Sequence, residues 1–342
     1  MITNYVILAI ISFILSLATV HAVSRIRRPG LIAPDVHKPY KVLVPKIGGV
    51  SILTSMGAAT IYTYLIGDWR FFALGLVTIT VGLIGLVDDL RGLPVSIRVF
   101  LPLVPALIIP VAVHDYIYIL LIGHVHYFLV VAALSMLAVT VMANAANMLD
   151  VMNGIVPTST LMIITVSGII SYLAGFTYAL PATVVLILTV LPLAIYNWYP
   201  AKVFNGNVGS YALGAMMGAF MVLYNAGTQG VIAALPYIIN GFLIVITARG
   251  FKPKETLKRP VIVNDGVIHA NNTPGSPITL VKLIVMRRPK TEKEVVRDIL
   301  LLFLATSLAT LSLLPFAMRP LSTLRLGLVL VLPFLGLKFG SH

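Results

Sequence analysis

The run Phe71-Phe-Ala-Leu-Gly-Leu-Val-Thr-Ile-Thr-Val-Gly-Leu-Ile-Gly-Leu-Val-Asp88-Asp89-Leu-Arg91 is a long apolar segment that ends abruptly in two acids. A helix needs about 17–25 apolar residues to cross the hydrocarbon core of a bilayer, and residues 71–87 meet that length. Ionisable groups at membrane depth are costly and indicate function. At the end of a span, however, water can solvate the acids, so a solvated helix end is the alternative to a functional site.

Apolar runs of spanning length recur along the whole chain. Of its 342 residues, 59% are hydrophobic and only 10% are charged, whereas globular domains average about 45–50% and 25%. The sequence therefore predicts an all-α polytopic protein with one membrane domain over residues 1–342. About ten or eleven spans are predicted, near 4–24, 48–67, 71–87, 98–114, 127–146, 157–175, 178–196, 209–226, 229–247, 295–317 and 320–338, the last interrupted by Arg325.

The basic residues predict the orientation of these spans, because Lys and Arg near span ends mark the cytoplasmic face. The first span has no basic residue before it and is followed by Arg25, Arg27 and Arg28, the opposite of a cleaved secretory signal. With the N-terminus outside, most of the +13 net charge falls on the cytoplasmic side. The charge therefore calls for no nucleic-acid partner, and it suits anionic lipid head groups or an anionic substrate.

The segments between spans are short, with one exception. Residues 250–294 form a long predicted cytoplasmic loop, in which Asn264-Asp-Gly266 predicts a turn between two short strands. Residues 278–286 predict a helix lying in the membrane interface, and 116–127 predict a small external hairpin. Cysteine is absent, which excludes disulfides and thiol chemistry.

A second polar cluster lies at another span end, in Asn144-Ala-Ala-Asn147-Met-Leu-Asp150-Val-Met-Asn153-Gly154. A spacing of three residues places Asn144, Asn147 and Asp150 on neighbouring helical positions. Amide and carboxylate oxygens are hard ligands that suit Mg²⁺. Hydrogen bonding between helices is the alternative use of such amides in membrane bundles.

Two further clusters lie on the same predicted face. Residues 197–210 combine Asn and Gly ahead of a helix, so free backbone N–H groups could face an anion, although Asn-Gly is also ordinary turn chemistry. Lys258, Arg259 and His269 belong to the long basic loop, and Arg and Lys bind phosphate. Because all four clusters share one face, the sequence predicts one site assembled from several loops.

The ordered set of motifs resembles the polyprenyl-phosphate N-acetylhexosamine-1-phosphate transferases over roughly residues 20–317. Within that superfamily the chain looks most like the dolichyl-phosphate N-acetylglucosaminephosphotransferases of eukaryotes and archaea. The residues that carry the resemblance are Lys38-Pro-Tyr40, Val44-Pro-Lys-Ile-Gly-Gly49, Asp88-Asp89, the 144–154 run, Asn197-Trp-Tyr-Pro200 and Val203-Phe-Asn-Gly-Asn207.

The resemblance implies transfer of N-acetylhexosamine 1-phosphate, with GlcNAc as the leading sugar, from a UDP-sugar to a polyprenyl or dolichyl phosphate. UMP would be released and a lipid-linked glycan started. It also implies Mg²⁺, with Mn²⁺ as the second candidate, and a homodimer. The protein would work in the lipid bilayer of an archaeal plasma membrane or a eukaryotic endoplasmic reticulum, with its active site on the cytoplasmic face.

Site residues carry over from the motifs by position. The expected catalytic group is Asp88, Asp89, Arg98 and Asp150, with Asp88 or Asp89 as candidate base. The expected metal ligands are Asn147, Asp150 and Asn207. The expected substrate-binding residues are Lys38, Lys46, Asn144, Asn153, Lys202, Lys258, Arg259 and His269.

Two positions depart from the family's pattern. Asn207 stands in Gly206-Asn207-Val208, where the family usually has Gly-Asp-Thr or Gly-Asp-Ser, and Arg98 stands where it usually has Lys. The loss of a carboxylate at Asn207 leaves three interpretations open: natural variation, an inactivating change or a misplaced ligand. An inactive UDP-sugar-binding relative is therefore one alternative. A secondary transporter is the other, although transport sites lie near the bilayer midplane.

Overall fold

The computed structural model describes residues 2–38, 42–112, 117–119, 123–252 and 256–317. Within these residues the chain is an all-α polytopic membrane protein with a few short strands, as the sequence predicts. The helices are α1 (Ile2–Ser24), α2 (Val50–Leu65), α3 (Trp69–Arg91), α4 (Val95–Phe100), α5 (Leu103–Ala106), α6 (Ile108–Ala112), α7 (Phe128–Leu149), α8 (Ile155–Leu173), α9 (Ala179–Asn197), α10 (Gly206–Leu223), α11 (Gly227–Ala233), α12 (Leu235–Thr247), α13 (Leu280–Val285), α14 (Glu292–Ala309) and α15 (Leu314–Ala317).

Each of the ten predicted spans up to residue 317 contains helix, but not every one is long and straight. Among the described residues, eight helical segments are long and apolar enough to cross a membrane. One of the eight, residues 95–112, is broken into α4, α5 and α6, where prolines remove backbone donors. Helix α2 has only 16 residues. The predicted eleventh span, near 320–338, lies outside the described residues.

The predicted span near 229–247 is bent. Helices α11 and α12 meet at an angle of 64° around Ala234. Pro236 occupies the first turn of α12, where its missing N–H costs least. Counting this pair as one broken span gives nine candidate spans in the described part of the chain. Hydropathy alone could not show the bend, because the apolar run continues without a break through Ala233, Ala234 and Leu235.

Helix α10 lies at the centre of the bundle, packed between α3 and α7 and almost wholly buried. Glycines allow this close approach, as small residues do in membrane helix pairs. A Cβ on Gly214 would lie 2.5 Å from the Ala143 Cα of α7. A Cβ on Gly85 of α3 would lie 2.3 Å from the backbone oxygen of Asn207. The last turn of α3 therefore lies directly against the first turn of α10.

The strands form small sheets between the helices. β1 (Ile32–Pro34) pairs antiparallel with β2 (Leu43–Pro45), and β3 (Ile117–Ile119) pairs with β4 (Gly123–Val125) as the alternating sequence predicts. In the long loop, β5 (Val261–Asn264), β6 (Val267–Ala270) and β7 (Lys290–Thr291) form a three-stranded sheet in that order. After β6, the backbone N–H of Leu280 donates to Oδ1 of Asn240, which fastens the loop to α12.

Candidate functional site

Asp89 caps the N-terminus of α10 from another helix. Its two carboxylate oxygens accept hydrogen bonds from the backbone N–H groups of Asn207 at 3.1 Å and Val208 at 2.9 Å. The first N–H groups of a helix have no partner within it, and the helix dipole favours a negative charge there. Gly85 lies one turn earlier on the same face of α3 and makes this approach possible.

Asp88 is enclosed by donors. Its carboxylate accepts from Nη1 of Arg98 at 3.1 Å, from Nδ2 of Asn207 at 2.8 Å and from the backbone N–H of Leu93 at 2.8 Å. Asp88 is only 7% exposed. One guanidinium and two further donors thus surround this buried carboxylate. This arrangement fixes Arg98 and Asn207 in place around the end of α3.

A polar cavity of about 260 Å³ opens beside this network. Its walls come from the loop before α2, the ends of α3 and α7, and the beginning of α10. The lining residues are Pro34, Asp35, Val36, His37, Lys46, Asp89, Asn147, Asp150, Val151, Met152, Asn153, Asn197, Phe204, Asn205, Gly206 and Asn207. Three of them are Asp and one is Lys, so the cavity has an excess of negative charge that suits a cation.

Asp150 and Asn147 line the cavity from the end of α7. The Asp150 carboxylate accepts from Nδ2 of Asn205 at 3.3 Å. Oδ1 of Asn147 accepts from the Ser210 hydroxyl at 3.0 Å. Both α7 residues are thus held by the segment that begins α10, and the two polar motifs that are far apart in sequence form one wall.

Lys38 forms a buried junction beside the same cavity. Its ammonium lies 2.5 Å from Oε2 of Glu292 and 3.5 Å from Oδ2 of Asp35, and the ring of Tyr199 lies 3.5 Å below it. Asp35 also accepts from Nδ2 of Asn153 at 3.0 Å. Burial lowers the pKa of Lys38, but the hydrogen bond and charge of Glu292 outweigh it and raise the pKa above its usual value.

His37 lies next to this junction as a partly buried imidazole. Burial lowers the pKa of His37 and outweighs the carboxylates of Glu292 and Asp35, which act in the opposite direction. Ligand atoms of Asp35, His37 and Glu292 lie within 4.8 Å of one another. Lys38 already pairs with both acids of this cluster, so its ammonium competes with any cation there.

The residues predicted as metal ligands supply a suitable donor set in the cavity. Asp150 offers a carboxylate, and Asn147 and Asn207 offer amide oxygens. Because Asp88 can only accept, the nitrogen of the Asn207 amide faces Asp88, which leaves the amide oxygen for the cavity. One carboxylate with amide oxygens and water is a set that Mg²⁺ accepts, so these residues fit a hard divalent cation.

The structure places the other predicted residues in different surroundings. Lys46 lines the cavity and donates to the backbone oxygen of Asp89 at 3.1 Å. Asn144 is buried away from the lining and bonds the backbone oxygen of Val99, the interhelical alternative raised for this amide. Lys202 lies over the Tyr196 ring. None of the lining residues comes from the loop that holds Lys258, Arg259 and His269.

Five polar residues of the site were not in the predicted set: Asp35, His37, Asn197, Asn205 and Glu292. Asp35 and His37 shortly precede Lys38 in sequence, and Asn197 and Asn205 lie in the motifs that carry the resemblance, so these four had a local signal. Glu292 had none, because it lies 254 residues from Lys38 and begins a membrane span.

Comparison with known proteins adds a separate observation. A family model described as glycosyl transferase family 4 matches residues 71–225, the segment that runs from α3 through α10. A protein of Saccharolobus solfataricus is 30% identical over 250 residues, covering 68% of this chain and 76% of its own. It carries the provisional name UDP-N-acetylglucosamine–dolichyl-phosphate N-acetylglucosaminephosphotransferase.

Two further relatives extend the comparison. A protein of Sulfolobus acidocaldarius with the same provisional name is 28% identical over 282 residues, covering 78% of this chain and 84% of its own. A phospho-N-acetylmuramoyl-pentapeptide-transferase of Petrotoga mobilis is 26% identical over 251 residues, covering 67% and 75% respectively.

Proposed function

Since the chain belongs to glycosyl transferase family 4, within the polyprenyl-phosphate N-acetylhexosamine-1-phosphate transferase superfamily, we propose that it transfers GlcNAc 1-phosphate from UDP-GlcNAc to dolichyl or another polyprenyl phosphate. The products are UMP and a polyprenyl-diphospho-GlcNAc. The observation that carries this proposal is the polar cavity built from Asp89, Asp150 and Asn207, three motif positions that the resemblance assigns to the reaction.

The position of the cavity supports an enzyme rather than a transporter. Asp89 is in the last turn of α3, Asp150 caps α7, and Asn207 is in the first turn of α10. All three lie at helix ends, where a water-soluble nucleotide sugar can meet a lipid at the membrane boundary. A transport site is expected near the bilayer midplane. We assign this end of the bundle to the cytoplasmic face on the distribution of Lys and Arg.

The proposed reaction is an attack on a diphosphate. An oxygen of the polyprenyl phosphate bonds to the β-phosphorus of UDP-GlcNAc, and the bond from that phosphorus to the oxygen of the α-phosphate breaks. A phosphate monoester has its second pKa near about 6, so the acceptor is largely ionised at neutral pH without a strong base. Asp88 is saturated by donors, so we assign it to positioning Arg98 and Asn207.

Charge neutralisation is then the main task of the protein. Lys46 and Arg98 are the cations that lie next to the two acids, and each is fixed by a hydrogen bond to one of them. A divalent cation held by Asp150, Asn147 and Asn207 would add Lewis-acid stabilisation of the diphosphate. Asp35 and Asn153, at the Lys38 end of the cavity, are assigned to the nucleotide.

The test is transfer of labelled GlcNAc 1-phosphate from UDP-GlcNAc to dolichyl phosphate by the purified protein in detergent, with Mg²⁺, with Mn²⁺ and with chelator. We expect cation-dependent lipid product and an equal amount of UMP. Asp150→Asn should reduce the rate at least about 100-fold by removing the carboxylate ligand. Asp265→Asn, in the turn between β5 and β6, is the matched control and should retain the activity.

Two results would contradict the proposal in different ways. Binding of UDP-GlcNAc without any lipid product, across several polyprenyl phosphates, would identify an inactive nucleotide-sugar-binding relative in which Asn207 fails as a ligand. Absence of UDP-GlcNAc binding, measured by isothermal titration with and without Mg²⁺, would exclude the nucleotide donor altogether.

A further inference from the structure

A second concave surface lies on the outside of the bundle, beside residues 293–304 of α14. It has a volume of about 440 Å³ and is lined mainly by apolar atoms. Leu300, Leu301 and Leu304 of α14 form one wall, and Met162 of α8 faces them. Leu301 and Leu304 are 52% and 41% exposed, so the groove is open to the surroundings of the membrane-spanning helices.

One end of the groove is basic and aromatic. Lys293 and Arg297 precede the leucines at helical spacing on the same face of α14. Trp198 and Tyr199, from the segment after α9, complete this end. Along this face of α14 the basic residues come first and the leucines follow. This order matches the change from lipid head groups to hydrocarbon chains across the membrane boundary. Trp and Tyr are also the residues enriched at that boundary.

The basic end of the groove carries an excess of positive charge. The acids of the first turns of α14 already have partners: Glu292 pairs with Lys38, Glu294 with Arg288, and Asp298 with both Lys290 and Arg297. Asp298 thus faces two cations. Lys293 lies 4.7 Å from the Tyr199 ring centre and forms no ion pair within the described residues. A head-group phosphate would complement this excess of positive charge.

We propose that this groove is a binding site for a bilayer phospholipid with an anionic head group. The phosphate lies between Lys293 and Arg297, and an acyl chain runs between α8 and α14 along Leu300 and Leu304. Charge complementarity favours a phospholipid of net negative charge over a zwitterionic one, because the basic residues add attraction at the head-group level.

The groove also touches the catalytic end of the molecule. The Tyr199 ring has Lys293 on the groove side and Lys38 at 3.5 Å. Lys38 in turn holds Asp35, which lines the polar cavity. A bound head group therefore lies one aromatic ring away from the junction that shapes the proposed nucleotide end of the cavity.

The chain offers a direct probe of this site, since it contains only two tryptophans. Trp198 lines the groove, whereas Trp69 begins α3 at the opposite end from Asp88 and packs on Tyr64. By helix rise, the two ends of α3 are roughly 30 Å apart. Trp69→Phe leaves Trp198 as the sole reporter, and Trp198→Phe leaves Trp69 as its control.

The experiment reconstitutes the full chain in phosphatidylcholine vesicles with increasing fractions of phosphatidylglycerol whose acyl chains carry bromine, a contact quencher of tryptophan. Brominated phosphatidylcholine is the reference. In the Trp69→Phe protein, half-maximal quenching should need a roughly fivefold lower fraction of brominated phosphatidylglycerol than of brominated phosphatidylcholine. This factor corresponds to the attraction of about one basic residue for an anionic head group. In the Trp198→Phe protein the two lipids should quench equally.

Substitutions then locate the head group. Lys293→Gln with Arg297→Gln, in the Trp69→Phe background, should abolish the preference while brominated phosphatidylcholine quenches as before. Arg287→Gln with Arg288→Gln removes the same charge from exposed positions outside the groove and should keep the preference.

Three results would overturn the proposal. Equal quenching of Trp198 by both lipids would mean an ordinary boundary layer. A phosphatidylglycerol preference at both tryptophans, or one that survives Lys293→Gln with Arg297→Gln, would mean a general attraction of the basic protein. Relief of quenching by polyprenyl phosphate at lower concentration than by unlabelled phosphatidylglycerol would assign the groove to the isoprenoid instead.

Discussion

The side-chain nitrogen of Asn207 lies 2.8 Å from Oδ2 of Asp88 and joins the first turn of α10 to the last turn of α3. An amide can make this bond, whereas a carboxylate at the same position would face Asp88 as a second negative charge. Asn207, which departs from the family's pattern, therefore complements Asp88 in this chain. Replacing Asn207 with Asp should weaken this contact.

Asn207→Asp should lower the thermal stability in chelator, because it removes a donor and places two acids in contact. Loss of a hydrogen bond to a charged group costs about 1.5–3 kcal/mol, and the repulsion adds to it. Millimolar Mg²⁺ should restore part of the loss, measured as the melting temperature in detergent. Asn272→Asp, at an exposed loop position, is the control; equal melting temperatures for the Asn207→Asp protein and the wild type in chelator would contradict the prediction.

Gly85→Ala should separate α3 from α10, since the added Cβ would lie 2.3 Å from the backbone oxygen of Asn207. Overpacking of this kind costs about 1–3 kcal/mol, and the displaced Asp89 should reduce transfer at least about tenfold. The matched control is Gly57→Ala, where nothing lies within 4 Å of the new atom. That variant should keep full activity, and a similar activity loss in both would show that the contact at Gly85 is unimportant.

Asp88→Asn and Arg98→Met should not have additive effects on stability. Arg98→Met leaves the buried Asp88 without its cation, which costs up to about 3–5 kcal/mol. Asp88→Asn leaves the partly buried Arg98 without its anion and should cost less. The double variant removes both charges and should be less destabilised than the sum of the two. Melting temperatures of the wild type, the two single variants and the double variant give the coupling between the two residues. Strict additivity would mean that the 3.1 Å ion pair between Asp88 and Arg98 contributes nothing to stability.

Lys38→Met should open the buried junction to a metal ion. The substitution leaves Asp35 and Glu292 without their cation, which costs about 3–5 kcal/mol, while His37 stays within reach of both. Micromolar Zn²⁺ or Mn²⁺ should then raise the melting temperature of the variant and not that of the wild type. Lys202→Met removes a lysine that lies over Tyr196 and should gain no such response.

The partly buried imidazole of His37 should make the stability of the protein depend on pH. Its pKa is lowered in the folded protein, so below the unfolded value of about 6.5 the unfolded chain binds more protons. Stability should therefore fall as the pH drops from about 6.5 toward the lowered pKa. In the His37→Asn variant, the melting temperature should change less with pH in that range. A pH dependence identical to that of the wild type would exclude His37 as its source.

Hydropathy and the distribution of polar residues determined the class of protein and the location of its chemistry. Apolar runs are a local property of the sequence, so the helical segments up to residue 317 could be placed to within a few residues, although the described residues hold at most nine candidate spans. Polar clusters at span ends likewise predicted Asp88, Asp89, Asn147, Asp150, Asn153 and Asn207 as neighbours, and the structure brings them together around one network and its adjoining cavity.

Only the tertiary structure decided what each polar group does. Asp89 caps a helix that begins more than a hundred residues later, Lys38 pairs with Glu292 at a separation of 254 residues, and Asn144 bonds between helices instead of lining the cavity. A residue's own sequence neighbourhood holds no information on these partners. They follow from the close packing of α10 against α3 and α7. Glycines on α3 and α10 permit this packing, which fixes the carboxylates, amides and bases within hydrogen-bonding distance.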